Sequence, residues 1–260
     1  MKIFRLFSFA LVLLFVMSNV AFATSNANSW YCKRTKNHIQ PELPEEMRYA
    51  EKYSLYWCDK KHTGIDDGDK VIYLTFDAGY ENGNIEKIMD VLKEEDVKGT
   101  FFILDNVIMK NEELVRRMID EGHIVANHTF KHKDMTKMTT KDEFLKELVS
   151  LENLFEKTFS TKMEKYYRPP EGKISEQNLK WAEELGYKTV MWSFAYADWD
   201  NGKQPSLEYA KNLIIDNIHN GEVMLLHPTS STNAQIMRDI IKELKSQGFR
   251  FGTVDELCQD

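Results

Sequence analysis

Residues 71–92 read VIYLTFDAGYENGNIEKIMDVL, and this stretch decides the fold. Its first six residues, Val71 to Phe76, are apolar or β-branched and have the length of a buried strand. Apolar residues at helical spacing follow: Ile85, Ile88, Met89 and Leu92. A strand followed by an amphipathic helix is typical of the parallel β/α unit.

The same alternation continues along the chain. Strands are predicted at 100–104, 124–126, 189–192, 223–226 and 249–251, and Tyr166-Tyr167 precedes a proline break. Helices are predicted at 84–95, 112–121, 140–158, 175–185, 206–218 and 234–246. Seven or so units in about 190 residues favour a distorted (β/α) barrel over an open doubly wound sheet. Gly79 and Gly83 after the first strand do not form a dinucleotide or Walker phosphate loop.

The composition excludes two classes of protein. The 260 residues carry a formal net charge of −7, which argues against a protein that coats DNA or RNA, since such a protein needs a basic surface. Hydrophobic residues make up 42% and aromatic residues 12%, enough to bury a sizeable core.

Three segments are expected. Residues 1–23 resemble a signal peptide, with a basic start, an apolar run and a small-x-small site that ends at Ala23. The alternative is an uncleaved membrane anchor. Residues 24–69 are predicted to be an extension that packs on the barrel, and residues 70–260 the barrel domain. The signal-like segment predicts cleavage after Ala23 and export.

Two of the three cysteines, Cys32 and Cys58, either bridge the extension or remain thiols.

Five polar clusters each follow the C-terminal end of a predicted strand. They are Asp77, His128 with His132, Arg168, Asp198 with Trp199, and His227. In a β/α barrel that end carries the active-site residues. The sequence therefore predicts one active site built from five loops.

The two histidines are candidate metal ligands. On one helical turn, His128 and His132 would face the same way and could share a metal ion, with Asp77 as an oxygen donor. The alternative is a solvent-exposed pair.

Two further residues are open to two interpretations each. Arg168, which precedes two prolines, could hold a carboxylate in a bidentate fork, or it could be an ordinary surface arginine. His227, at the mouth of a buried strand, could act as a general acid, or it could be a core histidine with satisfied hydrogen bonds.

Taken together, the clusters resemble one family, the polysaccharide deacetylases with a NodB-homology domain (carbohydrate esterase family four). The matching segments are Thr75-Phe76-Asp77, His128-x3-His132, Arg168-Pro169-Pro170-x-Gly172, Asp198-Trp199 and Leu225-x-His227. Residues 75–83 and 192–199 also resemble the delta-lactam-biosynthetic de-N-acetylases of spore-forming bacteria.

The resemblance implies a role for each site residue. A divalent ion, with zinc as the first expectation, would bind His128 and His132. Asp77 would act as base and His227 as acid. Arg168 would hold Asp77, with Asp198 behind it as a tether. A backbone N–H near Glu171 would stabilise the oxyanion, and Trp199 and Leu225 would wall the acetyl pocket.

The implied reaction is removal of acetyl from N-acetylmuramic acid in peptidoglycan glycan strands, which leads to muramic δ-lactam in the spore cortex. The implied location is the cell envelope or the forespore intermembrane space, with no nucleic acid and no stable protein partner. Two alternatives remain: deacetylation of chitin-like or poly-N-acetylglucosamine chains, and a catalytically dead glycan-binding protein.

The sequence departs from the family pattern at two positions. Ala78 stands where the wider family usually has a metal-binding acidic residue, and Ala195 stands where an earlier Asp is frequent. The delta-lactam subfamily also lacks the metal-binding Asp. Weak metal binding is therefore expected, because catalytic zinc sites normally use three protein ligands.

Overall fold

The computed structural model describes residues 27–64 and 68–259, so the predicted signal peptide lies outside the described residues. The strands are β1 (Asn28–Ser29), β2 (Leu55–Tyr56), β3 (Lys70–Ala78), β4 (Thr100–Ile103), β5 (Ile124–Asn127), β6 (Tyr166–Tyr167), β7 (Lys173–Ile174), β8 (Lys188–Val190), β9 (Glu222–Leu226) and β10 (Phe249–Gly252). The α-helices are α1 (Asn84–Glu94), α2 (Asp105–Lys110), α3 (Glu112–Asp120), α4 (Lys141–Phe159), α5 (Glu176–Glu184), α6 (Leu207–Asn217), α7 (Ser231–Ser246) and α8 (Val254–Leu257). Short 3-10 helices lie at Glu45–Lys52, Met135–Lys137 and Pro170–Gly172. In the described part of the chain, no helix has both the length and the apolar character to cross a membrane.

The main sheet is parallel and curls into a barrel. β3 pairs with β4, β9 and β10, and the order continues from β4 through β5, β6 and β8 to β2. A parallel bridge between Phe194 and Met224 links the chain after β8 to β9. The helices that join these strands pack outside the sheet. The predicted distorted (β/α) barrel is confirmed.

The alternation of side chains along β3 determines which side of the sheet Asp77 faces. Ile72, Leu74 and Phe76 pack in the outer apolar layer with helices such as α1 and α7. Val71 and Tyr73 belong to the inner cluster. Because side chains alternate along a strand, Asp77 faces the same side as Val71 and Tyr73, at the C-terminal end of β3.

The N-terminal extension contacts the barrel near that same end. β1 pairs antiparallel with β7, and the backbone N–H of Trp30 donates to the carbonyl of Gly172 at 2.8 Å. The Trp30 indole N–H donates to the carbonyl of Trp192 at 2.9 Å. Trp30, Trp57 and Met191 share one apolar cluster. Cys32 and Cys58 are thiols in the structure, not a disulfide.

Several elements differ from those expected from sequence. α2 forms between Asp105 and Lys110, where no helix was predicted, because six residues are too few to show a helical period. The extension, for which the sequence predicts no strand or helix, contains β1, β2 and the 3-10 helix Glu45–Lys52. These strands have two residues each, which is too short for an alternating pattern.

Gly172→Ala should destabilise the fold more than Gly186→Ala. Both glycines have positive φ, 64° and 79°, so each substitution carries a backbone cost of about 1 kcal/mol. A Cβ at position 172 would also lie 2.6 Å from the ring of Trp192, whereas nothing lies within 4 Å at position 186. Such overpacking adds about 1–3 kcal/mol. Urea unfolding of both variants measures the difference, and equal losses would contradict the packing argument.

Candidate active site

A cavity of about 1100 Å³ opens at the carboxyl ends of the parallel strands. Seven of the nine predicted site residues line it: Asp77, His128, His132, Glu171, Trp199, Leu225 and His227. The other two, Arg168 and Asp198, are buried behind the cavity wall. The barrel thus brings together residues that lie as far apart in sequence as β3 and β9.

Arg168 is buried, with every nitrogen of its guanidinium group occupied. Nη1 donates to Asp77 Oδ1 at 2.9 Å, and Nη2 donates to the hydroxyl of Thr75 at 2.9 Å and the carbonyl of Met191 at 3.0 Å. Nε donates to the carbonyl of Val190 at 2.9 Å. Arg168 is therefore the partner of a carboxylate and not a surface arginine, but it holds Asp77 through one nitrogen and not in the expected bidentate fork.

The environment of Asp77 favours its ionised form. Burial raises the pKa of this carboxyl group, but its electrostatic interactions with His128, Arg168 and His227 act in the opposite direction. The hydrogen bond from Arg168 adds to them, and the resulting pKa lies below the usual value. Asp77 is therefore a carboxylate at neutral pH. Its Oδ1 is held by Arg168, which leaves Oδ2 available to accept a proton.

His227 is held by Asp198. Asp198 Oδ1 lies 2.7 Å from His227 Nδ1, and Oδ2 accepts the backbone N–H of His227 at 2.7 Å. Asn233 Nδ2 donates to the same Oδ2 at 2.6 Å. Asp198 thus stands behind His227, not behind Arg168 and Asp77 as the resemblance implied.

The hydrogen bond to Asp198 also sets the charge of His227. Burial lowers the pKa of the imidazole, while the hydrogen bond and charge of Asp198 and the charge of Asp77 raise it. The net pKa lies above the usual value of histidine. Since Nδ1 is engaged, Nε2 is the nitrogen that carries a transferable proton into the cavity.

The two other histidines come together without a helical turn. Residues 128–134 form a loop in which Thr129 and His132 have positive φ, 75° and 54°. The hydroxyl of Thr129 accepts the N–H of His132 at 3.0 Å. The centroids of the His128 and His132 rings lie 5.0 Å apart. The helical turn expected from their spacing was wrong, although the imidazoles are neighbours.

The hydrogen bonds of His128 suit a metal ligand. Nδ1 lies 2.9 Å from the carbonyl oxygen of Arg168, so Nδ1 carries the proton and Nε2 has the free lone pair. Burial lowers the pKa of His128 to about 4, which keeps the ring neutral near pH 7. Nε2 lies 3.6 Å from Asp77 Oδ2.

The donor set fits a metal ion on two imidazoles. Within residues 27–64 and 68–259, no group of three or more His, Cys, Asp or Glu side chains is arranged to hold a metal ion. Ala78, where the wider family supplies an acidic ligand, is fully buried in the outer apolar layer. An ion on His128 and His132 would keep water or substrate at its remaining positions.

The rest of the predicted wall is apolar or solvent-facing. Leu225 is buried, and Trp199 is 60% exposed with its ring 6.1 Å from that of His227. Glu171 has a φ of 56° and an ion pair with Lys173 at 2.7 Å.

Sequence reasoning missed two kinds of residue. Trp30, Tyr31 and Arg34 of the extension line the cavity, but nothing in their local sequence indicates a site. Asn233, on α7, donates a hydrogen bond to Asp198, which lies 35 residues earlier in the sequence. No local motif reports a contact of that range.

Comparison with known proteins identifies relatives over nearly the whole chain. A family model described as polysaccharide deacetylase matches residues 64–190. Peptidoglycan-N-acetylmuramic acid deacetylase PdaA of Bacillus subtilis is 40% identical over 230 residues, 88% of this chain and 85% of that protein. Its solved structure, a family 4 carbohydrate esterase, covers 89% of this chain and 96% of that chain with a TM-score of 0.82. A peptidoglycan-N-acetylglucosamine deacetylase of Bacillus cereus is 35% identical over 72% of this chain and 68% of that protein.

Asp198→Asn should lower the pKa of His227. The amide keeps the shape of the side chain but removes the negative charge that stabilises the imidazolium. An NMR titration of the His227 ring protons measures the change. In the wild type, the midpoint should lie above the ordinary value of about 6.5, and in the variant it should lie below the wild-type midpoint. Identical midpoints would show that Asp198 does not set the charge of His227.

Proposed function

This chain belongs to the polysaccharide deacetylase family, carbohydrate esterase family four, and from that premise we propose that it hydrolyses the acetamido group of N-acetylmuramic acid in peptidoglycan. Membership of the family identifies the chain as a hydrolase of N-acetyl amides. The relatives of the chain indicate peptidoglycan as the substrate class. One observation carries the choice of sugar: the 40% identity, over 88% of the chain, with the Bacillus subtilis N-acetylmuramic acid deacetylase.

The geometry supports an acid–base mechanism of amide hydrolysis. Asp77 Oδ2 takes a proton from the attacking water, whose oxygen bonds to the acetyl carbon. The C–N bond then breaks, and His227 Nε2 donates its proton to the departing nitrogen. The products are acetate and a free amine on the sugar. The arrangement supplies an ionised base and a protonated acid at the same pH, which this division of roles requires.

The buried residues position this pair. Arg168 fixes the Asp77 carboxylate through Oδ1, and Asp198 fixes the His227 ring through Nδ1. We assign oxyanion stabilisation to a backbone N–H near Glu171 and the wall of the acetyl pocket to Leu225. Deacetylases of this family generally depend on a metal ion. An ion on His128 and His132 would polarise the acetyl carbonyl and acidify water.

We also propose export and a role in the spore cortex. The support is the signal-like sequence of residues 1–23 and the likeness of residues 75–83 and 192–199 to the lactam-forming subfamily. The amine freed by deacetylation stands next to the ring carbon that carries the lactyl carboxyl. Closure between these two groups gives muramic δ-lactam.

Mass spectrometry of the products tests the choice of sugar. The purified, zinc-loaded protein is incubated with glycan strands freed of peptides and, separately, with chitooligosaccharides. The proposal predicts loss of acetyl from the muramic residues. Loss from N-acetylglucosamine residues alone would support the second candidate, which the Bacillus cereus relative favours. No loss from either substrate would support a glycan-binding protein without activity.

Asp77→Asn should lower the rate of deacetylation by about 10²- to 10⁴-fold, the usual effect of removing a general base. Asp216→Asn, on an exposed position of α6 that does not line the cavity, is the matched control and should keep wild-type activity. Thermal unfolding is recorded for both variants, because Arg168 loses its anionic partner in the first. A folded Asp77→Asn protein within a few-fold of the wild-type rate would remove Asp77 from the role of base.

His128→Ala should lose bound zinc, whereas His227→Ala should keep it and lose turnover. The reason is that His128 and His132 are adjacent, while His227 belongs to the pair with Asp198. The zinc affinity of each variant, measured by titration of the metal-free protein, separates the two roles. An equal loss of zinc affinity in both variants would make His227 a ligand.

A further inference from the structure

The extension contributes a cavity wall that the barrel motifs do not include. Trp30 Nε1 and Cys32 Sγ both donate to the carbonyl of Trp192, each at 2.9 Å. These two hydrogen bonds and the pairing of β1 with β7 fix residues 28–32 against the barrel. Arg34, two residues further on, lines the same cavity as Asp77 and His227.

Arg34 is a cation in that wall that pairs with neither of the wall's carboxylates. It is the one lysine or arginine among the described residues that line the cavity. The two carboxylates of the wall already have partners: Asp77 pairs with Arg168 at 2.9 Å and Glu171 with Lys173 at 2.7 Å. In the part of the chain that the structure describes, Arg34 is exposed and forms an ion pair with neither carboxylate.

The substrate of the proposed function carries one carboxylate close to its acetamido group. N-acetylmuramic acid differs from N-acetylglucosamine by a lactyl ether on the ring carbon next to the acetamido carbon. The lactyl carboxyl is ionised when no peptide is attached, and it is a neutral amide when a peptide is attached. A planar guanidinium matches a carboxylate with two parallel hydrogen bonds.

We propose that Arg34 binds the lactyl carboxylate of the muramic residue that is deacetylated, and that it thereby selects peptide-free muramic acid. This inference rests on the proposed function, since it names the group by which that site recognises its sugar. The charge of the protein adds a reason. With a formal net charge of −7, the chain as a whole does not attract an anionic glycan, so a cation in the cavity wall favours the carboxylate locally.

Arg34→Ala tests the assignment, with Lys33→Ala as the matched control. Lys33 is the neighbouring exposed cation, and it does not line the cavity. Three substrates are compared: peptide-free glycan strands, the same strands with the lactyl carboxyl converted to a methylamide, and chitooligosaccharides. KM and kcat are measured separately on each.

On peptide-free strands, Arg34→Ala should raise KM by roughly 10-fold with kcat near that of the wild type, as expected for loss of one charge-assisted hydrogen-bonding partner at an exposed site. On the methylamide strands, Arg34→Ala should equal the wild type. Arg34→Lys should recover part of the lost affinity, because it keeps the charge without the fork. Lys33→Ala should match the wild type on every substrate.

Two results would overturn the inference while the proposed function stands. One is a wild type that deacetylates peptide-free muramic strands with the same KM as Arg34→Ala. The other is an equal rise of KM on the carboxylate and methylamide strands, which would give Arg34 a merely structural role. A wild type that acts on chitooligosaccharides and on neither muramic substrate would contradict the proposed function itself.

Discussion

The buried ion pair between Arg168 and Asp77 is the interaction on which the site and the barrel both depend. The guanidinium of Arg168 also bonds two carbonyls at the end of β8 and lies over the ring of Phe102, 4.2 Å from its centroid. It therefore joins β3, β4 and β8 around one charge. Removing one partner of such a buried pair typically costs about 3–5 kcal/mol. The base of the reaction is thus held by the same contact that holds the strand ends together.

The three titratable groups of the cavity differ in charge, each for a local reason. The neighbouring His128 and Arg168 lower the pKa of Asp77, Asp198 raises the pKa of His227, and burial lowers the pKa of His128, whose Nε2 lone pair is free. Three titratable side chains of one cavity therefore have three different protonation behaviours. The behaviours of Asp77 and His227 follow from charged neighbours, and that of His128 follows from burial.

Sequence predicted the barrel and the positions of Asp77 and His227, because strand and helix periods are local and parallel strands bring their carboxyl ends to one rim. It did not predict the loop that turns His132 back toward its neighbour, since that path depends on positive φ angles at two residues that are not glycine. It did not predict Arg34 or Asn233 either. Their positions at the site depend on how distant segments of the chain fold together, which no spacing rule reports.

The pH dependence of kcat/KM on peptide-free glycan strands tests the central claim most directly, because it reports the ionisation of the free enzyme. The proposed mechanism requires His227 to be protonated. The rate should therefore hold between the lowered pKa of Asp77 and the raised pKa of His227, and it should fall as pH rises through the latter. A rate that keeps rising through the alkaline range would show that no protonated acid is needed, and it would contradict the pairing of Asp77 as base with His227 as acid.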